Sequence, residues 1–391
     1  MKLVRTFHPV GHGAFYTERF YDSDDHQSSP KFTMVYDCGR YEAAKVGWSS
    51  PQYKDWIENY VKLNSGLHQS DVVDVLFISH FHTDHINGID FLLKYCDVKR
   101  IILPAITPLV IFEALVYNGI SGADLTFVAD FFRRCLEGDL KDKISQINIL
   151  EEGEREVAEF SESKFEDVSG EVYSPTSFFN DSILWRYIPF YRVDSIKLSA
   201  IETELRRNFP SIFINGRIDS VMLLNEIMSK GVQQFKNIYE SVFGQNKHNS
   251  YSLTLYSGLS PKKTCYIKCH LRTDCENGQE EVENQRYCSV NCLYMGDYEA
   301  LNSGIAPLKN FYYSVWKFIG IFQVPHHGSE KNSDSNLYND RNRLCVISCD
   351  SHDKYNHPAP QVLKDIQSAS SIPLIVTEMP FTKQEFIINL P

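Results

Sequence analysis

An apolar run that stops on a histidine cluster limits this chain more than any other feature. Val72, Val73, Val75, Leu76, Phe77 and Ile78 have the composition of a buried strand, and they lead through Ser79 into His80-Phe81-His82-Thr83-Asp84-His85, an H-x-H-x-D-H run. Ligands at the carboxyl end of a buried strand are rigidly aimed. Two imidazoles one residue apart can close on one metal ion from a single turn, and Asp84 and His85 then point to a neighbouring position for a second ion. Ile86-Asn87-Gly88 gives a tight passage into residues 89–94, whose apolar spacing suits a helix start. The pattern predicts strand, ligand loop and helix in that order. The ligand types point to hydrolysis at a two-metal site.

Other segments repeat the design. Asp37, in Val35-Tyr36-Asp37-Cys38-Gly39, ends another apolar strand. Met295-Gly296-Asp297 follows the strand-like Cys292-Leu293-Tyr294-Met295 and precedes Val324-Pro325-His326-His327-Gly328-Ser329. An isolated Gly-Asp is usually a turn, so it is this context that makes Asp297 a candidate ligand. On an extended backbone neighbouring side chains point opposite ways, so one of His326 and His327 is expected to face the ions. We read His326 as that ligand and His327 as a group behind it or facing the substrate. His357, in Tyr355-Asn356-His357-Pro358, is either a ligand for the second ion or a loop residue before proline.

Taken together these motifs resemble the metallo-β-lactamase superfamily, and within it the hydrolase domains found at the end of ComEC-type competence proteins and in similar stand-alone enzymes. The resemblance reaches both ends of the chain. It implies an α/β fold of four layers, αββα, in which two mixed sheets form a sandwich flanked by helices. It implies a metal set of His80, His82, Asp84, His85, Asp297, His326 and His357, with Asp297 bridging two ions and Asp37 orienting a ligand histidine from behind. Asp84 would also orient the nucleophile, and His327 would donate to a developing oxyanion or leaving group. The cofactors would be two divalent cations, Zn2+ by the histidine content or Mn2+ where carboxylates weigh heavily. One departure stands out. Many members supply a further metal histidine before the bridging aspartate, and this chain has only His248 and His270 in that interval. His248 precedes Asn249-Ser250-Tyr251-Ser252, which resembles the branch's Asn-x-Ser strand, so a C-terminal histidine is expected to complete the first ion's set.

With 391 residues and 43% hydrophobic content the chain can bury one large core, and we read residues 1–391 as a single domain. Within it, 106–245 is expected to be a largely helical insertion and 259–292 a Cys-rich insert. Strands are predicted over 2–10, 14–19, 100–104, 185–191 and 344–348, with a closing pair of 374–377 and 385–389. Helices are predicted over 49–63, 110–117, 125–135, 195–208, 219–230 and 360–368. Cys38, Cys96, Cys135, Cys345 and Cys349 fall singly in apolar or helical stretches, as small buried residues do. Cys265, Cys269, Cys275, Cys288 and Cys292 cluster in a polar segment; they are read either as a structural Zn2+ site or as unpaired thiols on a hairpin. The start has no apolar core of signal-peptide length and no stretch approaches bilayer length, so a soluble cytoplasmic protein without membrane association is expected.

The bond cut is a matter for the resemblance, which implies a phosphodiesterase or nuclease acting on nucleic acid or a nucleotide. Counting 39 basic against 50 acidic residues gives a formal charge of −11, which disfavours nonspecific capture of a polyanion. A nucleotide, a short oligonucleotide or a substrate presented by a protein partner in a multi-gene system fits better than long duplex DNA. Lys99, Arg100, Arg133, Arg134 and Lys331 are the candidate local cations. Two other readings stay open: a hydrolase of a non-phosphate ester, thioester or lactone, and a non-catalytic subunit keeping the fold for assembly of a multi-protein complex.

Overall fold

Two mixed sheets face one another across a core rich in aromatic side chains. The computed structural model describes residues 1–22, 29–40, 51–123, 125–147, 185–192, 195–244, 252–259, 266–268, 287–301, 304–340, 342–352 and 356–390. The first sheet runs Gln384–Asn389, Lys2–Phe7, Phe15–Tyr21, Phe32–Cys38, Val75–Phe77, Ile101–Pro104 and Ile144–Ile147 in spatial order. Its first four strands are antiparallel, and from Phe32–Cys38 onward the pairing is parallel. The second sheet runs Ile372–Val376, Leu344–Ser348, Ile319–Gln323, Asn291–Tyr294, Thr254–Leu259 and Trp185–Phe190. Here the first four are parallel and the last two antiparallel. With helices against the outer faces, including Pro51–Asn64 and Ile89–Tyr95 on one and Ile305–Phe311 and Pro360–Ser368 on the other, this is the four-layer αββα sandwich of the metallo-β-lactamase fold.

Rings from both sheets interleave at the centre. Tyr294 stacks on Tyr36 at 5.0 Å and on Tyr16 at 5.7 Å, and Trp185 meets Phe20 edge-on at 5.3 Å. Among these rings lies a fully buried ion pair, Arg5 Nε to Glu18 Oε1 at 2.6 Å. Glu18 also accepts from the hydroxyls of Tyr187 at 2.7 Å, Tyr294 at 2.9 Å and Ser257 at 2.7 Å, while Arg5 Nη1 donates to the Val290 carbonyl at 2.6 Å. A buried carboxylate needs this many donors to offset its desolvation.

Several expectations are corrected here. The apolar run 72–78 is two strands, because Asp74 turns aside to accept the Thr33 amide at 2.7 Å; Val72–Val73 pairs with Asp97–Val98, and only Val75–Phe77 enters the sheet. The closing pair does not form. Ile372–Val376 lies parallel to Leu344–Ser348 in the second sheet, whereas Gln384–Asn389 crosses to the free edge of Lys2–Phe7. Its alternation fits that edge: Phe386 and Ile388 point to the core, and Phe386 meets Phe7 edge-on at 5.9 Å. Within 106–245, Ile144–Ile147 and Trp185–Phe190 complete the edges of the two sheets, and the helices Pro108–Ile120 and Leu125–Leu136 before them and Ser195–Asn208, Ser220–Lys230 and Gln233–Phe243 after them pack together. Among the described residues no helix is long and apolar enough to cross a membrane.

Candidate metal centre

Parallel strands of both sheets end at the same edge of the sandwich, the place where side chains beyond strand ends converge. From the first sheet, Phe32–Cys38 delivers Asp37, and Val75–Phe77 runs into Ser79 and the histidine run. The second sheet delivers Asp297 after Asn291–Tyr294 and His326 and His327 after Ile319–Gln323.

Asp37 is wholly buried and adopts a left-handed backbone, φ 55°. Its Oδ1 accepts the Ser79 amide at 2.7 Å, and its Oδ2 accepts the Ser79 hydroxyl at 2.6 Å and His85 Nδ1 at 2.8 Å. His85 therefore turns Nε2 toward Asp297 Oδ1 at 3.2 Å and Asp84 Oδ2 at 3.7 Å. His80 is oriented the same way. Its Nδ1 sits by the hydroxyls of Ser79 at 2.9 Å and Ser252 at 3.2 Å, and its Nε2 faces Asp297 Oδ2 at 3.8 Å. Ser252 Oγ also accepts the Asp297 amide at 2.9 Å, so one hydroxyl fixes ligands from both halves of the chain. Gly296 is required by the same closeness, since a Cβ there would lie 2.7 Å from the Ser79 Cβ.

His326 and His327 do not follow an extended backbone. Both are left-handed, φ 50° and 56°, so the alternation argument does not apply and both rings reach Asp297: His326 Nδ1 lies 3.4 Å from Oδ2 and His327 Nε2 lies 3.8 Å from Oδ1. His327 Nδ1 donates to the Ser348 carbonyl at 2.9 Å, and its Nε2 also stands 3.5 Å from Asp84 Oδ2. Two groups result, each with its ligand atoms mutually within 4.8 Å: Asp84, His85, Asp297 and His327 in one, His80, His82 and Asp297 in the other. Asp297 belongs to both. His326 stands beside the second of these, and the His357 ring lies 5.6 Å from that of His12, stacked on it.

The residues fit a cation. His80 Nε2, His85 Nε2, His327 Nε2, His326 Nδ1 and Asp297 Oδ1 are buried without a hydrogen bond, and imidazole with carboxylate is the donor set of zinc and manganese sites. The charges agree. Burial alone would neutralise His85, but Asp297, Asp84 and Asp37 hold its pKa well above the usual histidine range. Against the same penalty the Asp84 contact and Asp297 raise His327. Asp297 is held well below the usual carboxylate range, burial being overcome by His326 and His85. His80 goes the other way: burial, with His85 and His82 adding to it, keeps it neutral, the form that binds metal.

Several contributors escaped the sequence reading. His12, in Gly11-His12-Gly13, places its ring 4.0 Å from that of His327, and Asp350 Oδ1 accepts the His12 amide at 2.9 Å. Glu113, Tyr117 and Asn118 come from the helix Pro108–Ile120 to enclose His82; the signal was a carboxylate and an amide in an otherwise apolar helix. Of the Cys-rich segment, Cys292 is free and fully buried between the sheets, where burial pushes its thiol up to about 12, the state of a packed neutral side chain rather than of a thiolate ligand. Cys265, Cys269 and Cys275 lie outside the described residues, as does the side chain of Cys288.

With this geometry in hand the comparisons are informative. Residues 28–163 match the family described as Metallo-beta-lactamase superfamily, a span that takes in Asp37 and the whole H-x-H-x-D-H run. The chain carries a metallo-β-lactamase superfamily domain. Among solved structures it is similar to unliganded yeast PDE1, with 11% identity, 100% of each chain covered and a TM-score of 0.39. It is also similar to a long form RNase Z from yeast, with 10% identity over 99% of this chain and 42% of that one and a TM-score of 0.34. An archaeal metallo-beta-lactamase superfamily protein from Sulfolobus tokodaii matches 62% of this chain and 97% of its own at 13% identity, with a TM-score of 0.22. No curated protein matches the chain.

Proposed function

We propose that this chain is a two-metal hydrolase of phosphodiester bonds, acting on a nucleotide or a short stretch of nucleic acid, and that it belongs to the ComEC-like branch of its superfamily. The observation that carries the reading is Asp297, one carboxylate shared by two separate groups of buried ligand atoms. In this reading His80, His82 and Asp297 hold one cation with His326 at its edge, and Asp84, His85, Asp297 and His327 hold the other. His327, not His326, is then the fourth ligand of the second set, because Nδ1 donation to Ser348 leaves its Nε2 directed at both carboxylates. Two divalent cations, Zn2+ or Mn2+, would supply Lewis acidity, lowering the pKa of water from about 15.7 to about 7 and offsetting charge on both the attacking and the leaving oxygen.

The protein's own groups supply position. Asp84 is half-buried while most of its neighbours are sealed, which puts its carboxylate at the mouth of the site to orient the attacking water. Asp37 and Ser79 hold His85 and His80, and Ser348 holds His327, so substrate binding requires no rearrangement of these rings. Surface charge supports a small substrate. Of the candidate local cations, Lys99 is neutralised by Asp97 and Arg134 by Asp90 and Asp139.

The test is a panel of bis-p-nitrophenyl phosphate, single-stranded DNA, cyclic dinucleotides and a lactone, with metal-loaded protein and an Asp84→Ala control. Hydrolysis of a phosphodiester that is lost in Asp84→Ala is expected. Hydrolysis of the lactone alone would reject the phosphodiesterase reading, and activity surviving Asp84→Ala would reject the site.

A further inference from the structure

The side chains that grip His82 come from one helix, Pro108–Ile120, which packs among the other helices of the insertion. Its sequence, PLVIFEALVYNGI, is apolar except at Glu113, Tyr117 and Asn118, and Glu113 and Asn118 are nonetheless buried. Polar groups buried on an apolar helix are expensive unless each meets a partner. All three converge on the same histidine. Glu113 Oε1 lies 3.4 Å from His82 Nε2. The Tyr117 ring lies flat on the imidazole, with centroids 3.7 Å apart and planes 12° from parallel. Asn118 holds the backbone on either side, its Oδ1 accepting from the Thr83 amide at 3.1 Å and its Nδ2 donating to the Phe81 carbonyl at 2.9 Å. Positions 113 and 117 share a helix face one turn apart and 118 adjoins them, so a single rigid element controls ring, tautomer and main chain.

We infer that this helix is the positioning device for the His82 ligand, with Glu113 as its key residue. By accepting the Nε2 proton, Glu113 fixes the tautomer that leaves Nδ1 for a cation, as Asp37 fixes His85 from the opposite side. Tyr117 and Asn118 remove the ring's remaining freedom. Occupancy of the His80–His82–Asp297 group therefore depends on the insertion, and occupancy of the Asp84–His85–Asp297–His327 group does not. The inference rests on the reading of His82 as a metal ligand, and it assigns to Glu113 a role that touches neither substrate nor cation.

The experiment is calorimetric titration of the metal-free protein with Mn2+ alone, comparing wild type, Glu113→Leu and Glu113→Gln. Wild type is expected to show two binding events. Glu113→Leu should weaken one of them by about 10- to 100-fold and leave the other unchanged, and Glu113→Gln, which keeps an acceptor, should recover most of the loss. Equal affinities in all three proteins, or a loss shared by both events, would overturn the inference. A second measurement needs no variant: 15N NMR of the metal-free wild type should find the His82 proton on Nε2. A proton on Nδ1 would overturn the Glu113 assignment whether or not the protein takes up Mn2+. An Nε2 proton together with no Mn2+ uptake would instead reject the two-metal reading while upholding the Glu113 contact.

Discussion

Replacing Asp37 by Asn tests how the second ligand group is built, because it changes one atom and leaves the shape alone. Asp37 Oδ1 accepts the Ser79 amide at 2.7 Å, and an Asn oxygen can do the same. The substituted nitrogen then takes the place of Oδ2 and can donate to Ser79 Oγ, but it meets His85 Nδ1 donor to donor across 2.8 Å. To relieve this, His85 must give up the Nδ1 proton and keep its remaining one on Nε2, the nitrogen that faces Asp297 and Asp84. A histidine protonated there cannot bind a metal. Loss of such a supporting group costs about 10- to 100-fold in affinity, about 1.4–2.7 kcal/mol. Fold stability should change less, by about 1 kcal/mol, because the variant also relieves a carboxylate whose own pKa burial has raised. The assay pairs Mn2+ titration of the metal-free protein with a urea melt. A weakened event out of proportion to the stability change is expected; unchanged affinity, with His85 still protonated on Nδ1, would refute the reasoning.

Three further outcomes can be checked on the same protein. Glu18→Leu should lose about 3–5 kcal/mol in denaturant unfolding, since it strands the fully buried Arg5 guanidinium; a loss under 1 kcal/mol would show that the pair is dispensable. Gly39→Ala should abolish hydrolysis, because its Cβ would fall 2.3 Å from the Asp84 carbonyl oxygen and push the ligand loop aside; retained activity would mean that the loop tolerates the shift. His8 is buried against Tyr60 and Thr17, and burial, with Arg19 and Lys383 adding to it, lowers its pKa well below the usual value. The unfolded chain alone then takes up the proton near pH 6.5, so the contribution of His8 is whole above that pH and is lost as pH falls toward the depressed folded pKa. Between pH 7.5 and 5.5 wild type should lose about 1.4 kcal/mol more than His8→Gln, and equal slopes would contradict the assignment.

The site was legible where chemistry and sequence adjacency coincide. The candidate ligands His80, His82, Asp84 and His85 were readable from six consecutive residues and an apolar lead-in; in the structure they lie close to Asp297 and to His327, where the sequence reading puts His326. Backbone conformation was not legible in the same way. Nothing in Pro325-His326-His327-Gly328 announces two successive left-handed residues, so a rule for extended chain was applied where it fails. Long-range pairing was equally hidden. Gln384–Asn389 and Ile372–Val376 are neighbours in sequence, yet the partner of the first is Lys2–Phe7, and only the free edge of that strand decides it. The clasp on His82 lay between these cases, since Glu113, Tyr117 and Asn118 carry a visible pattern whose target is set by packing alone.

Crystals grown with Mn2+ and measured for anomalous scattering address the shared carboxylate directly. Two peaks are expected on either side of Asp297, one against His80 and His82, the other against Asp84, His85 and His327. A single peak that leaves one group empty, or none within reach of Asp297, would contradict the two-metal account.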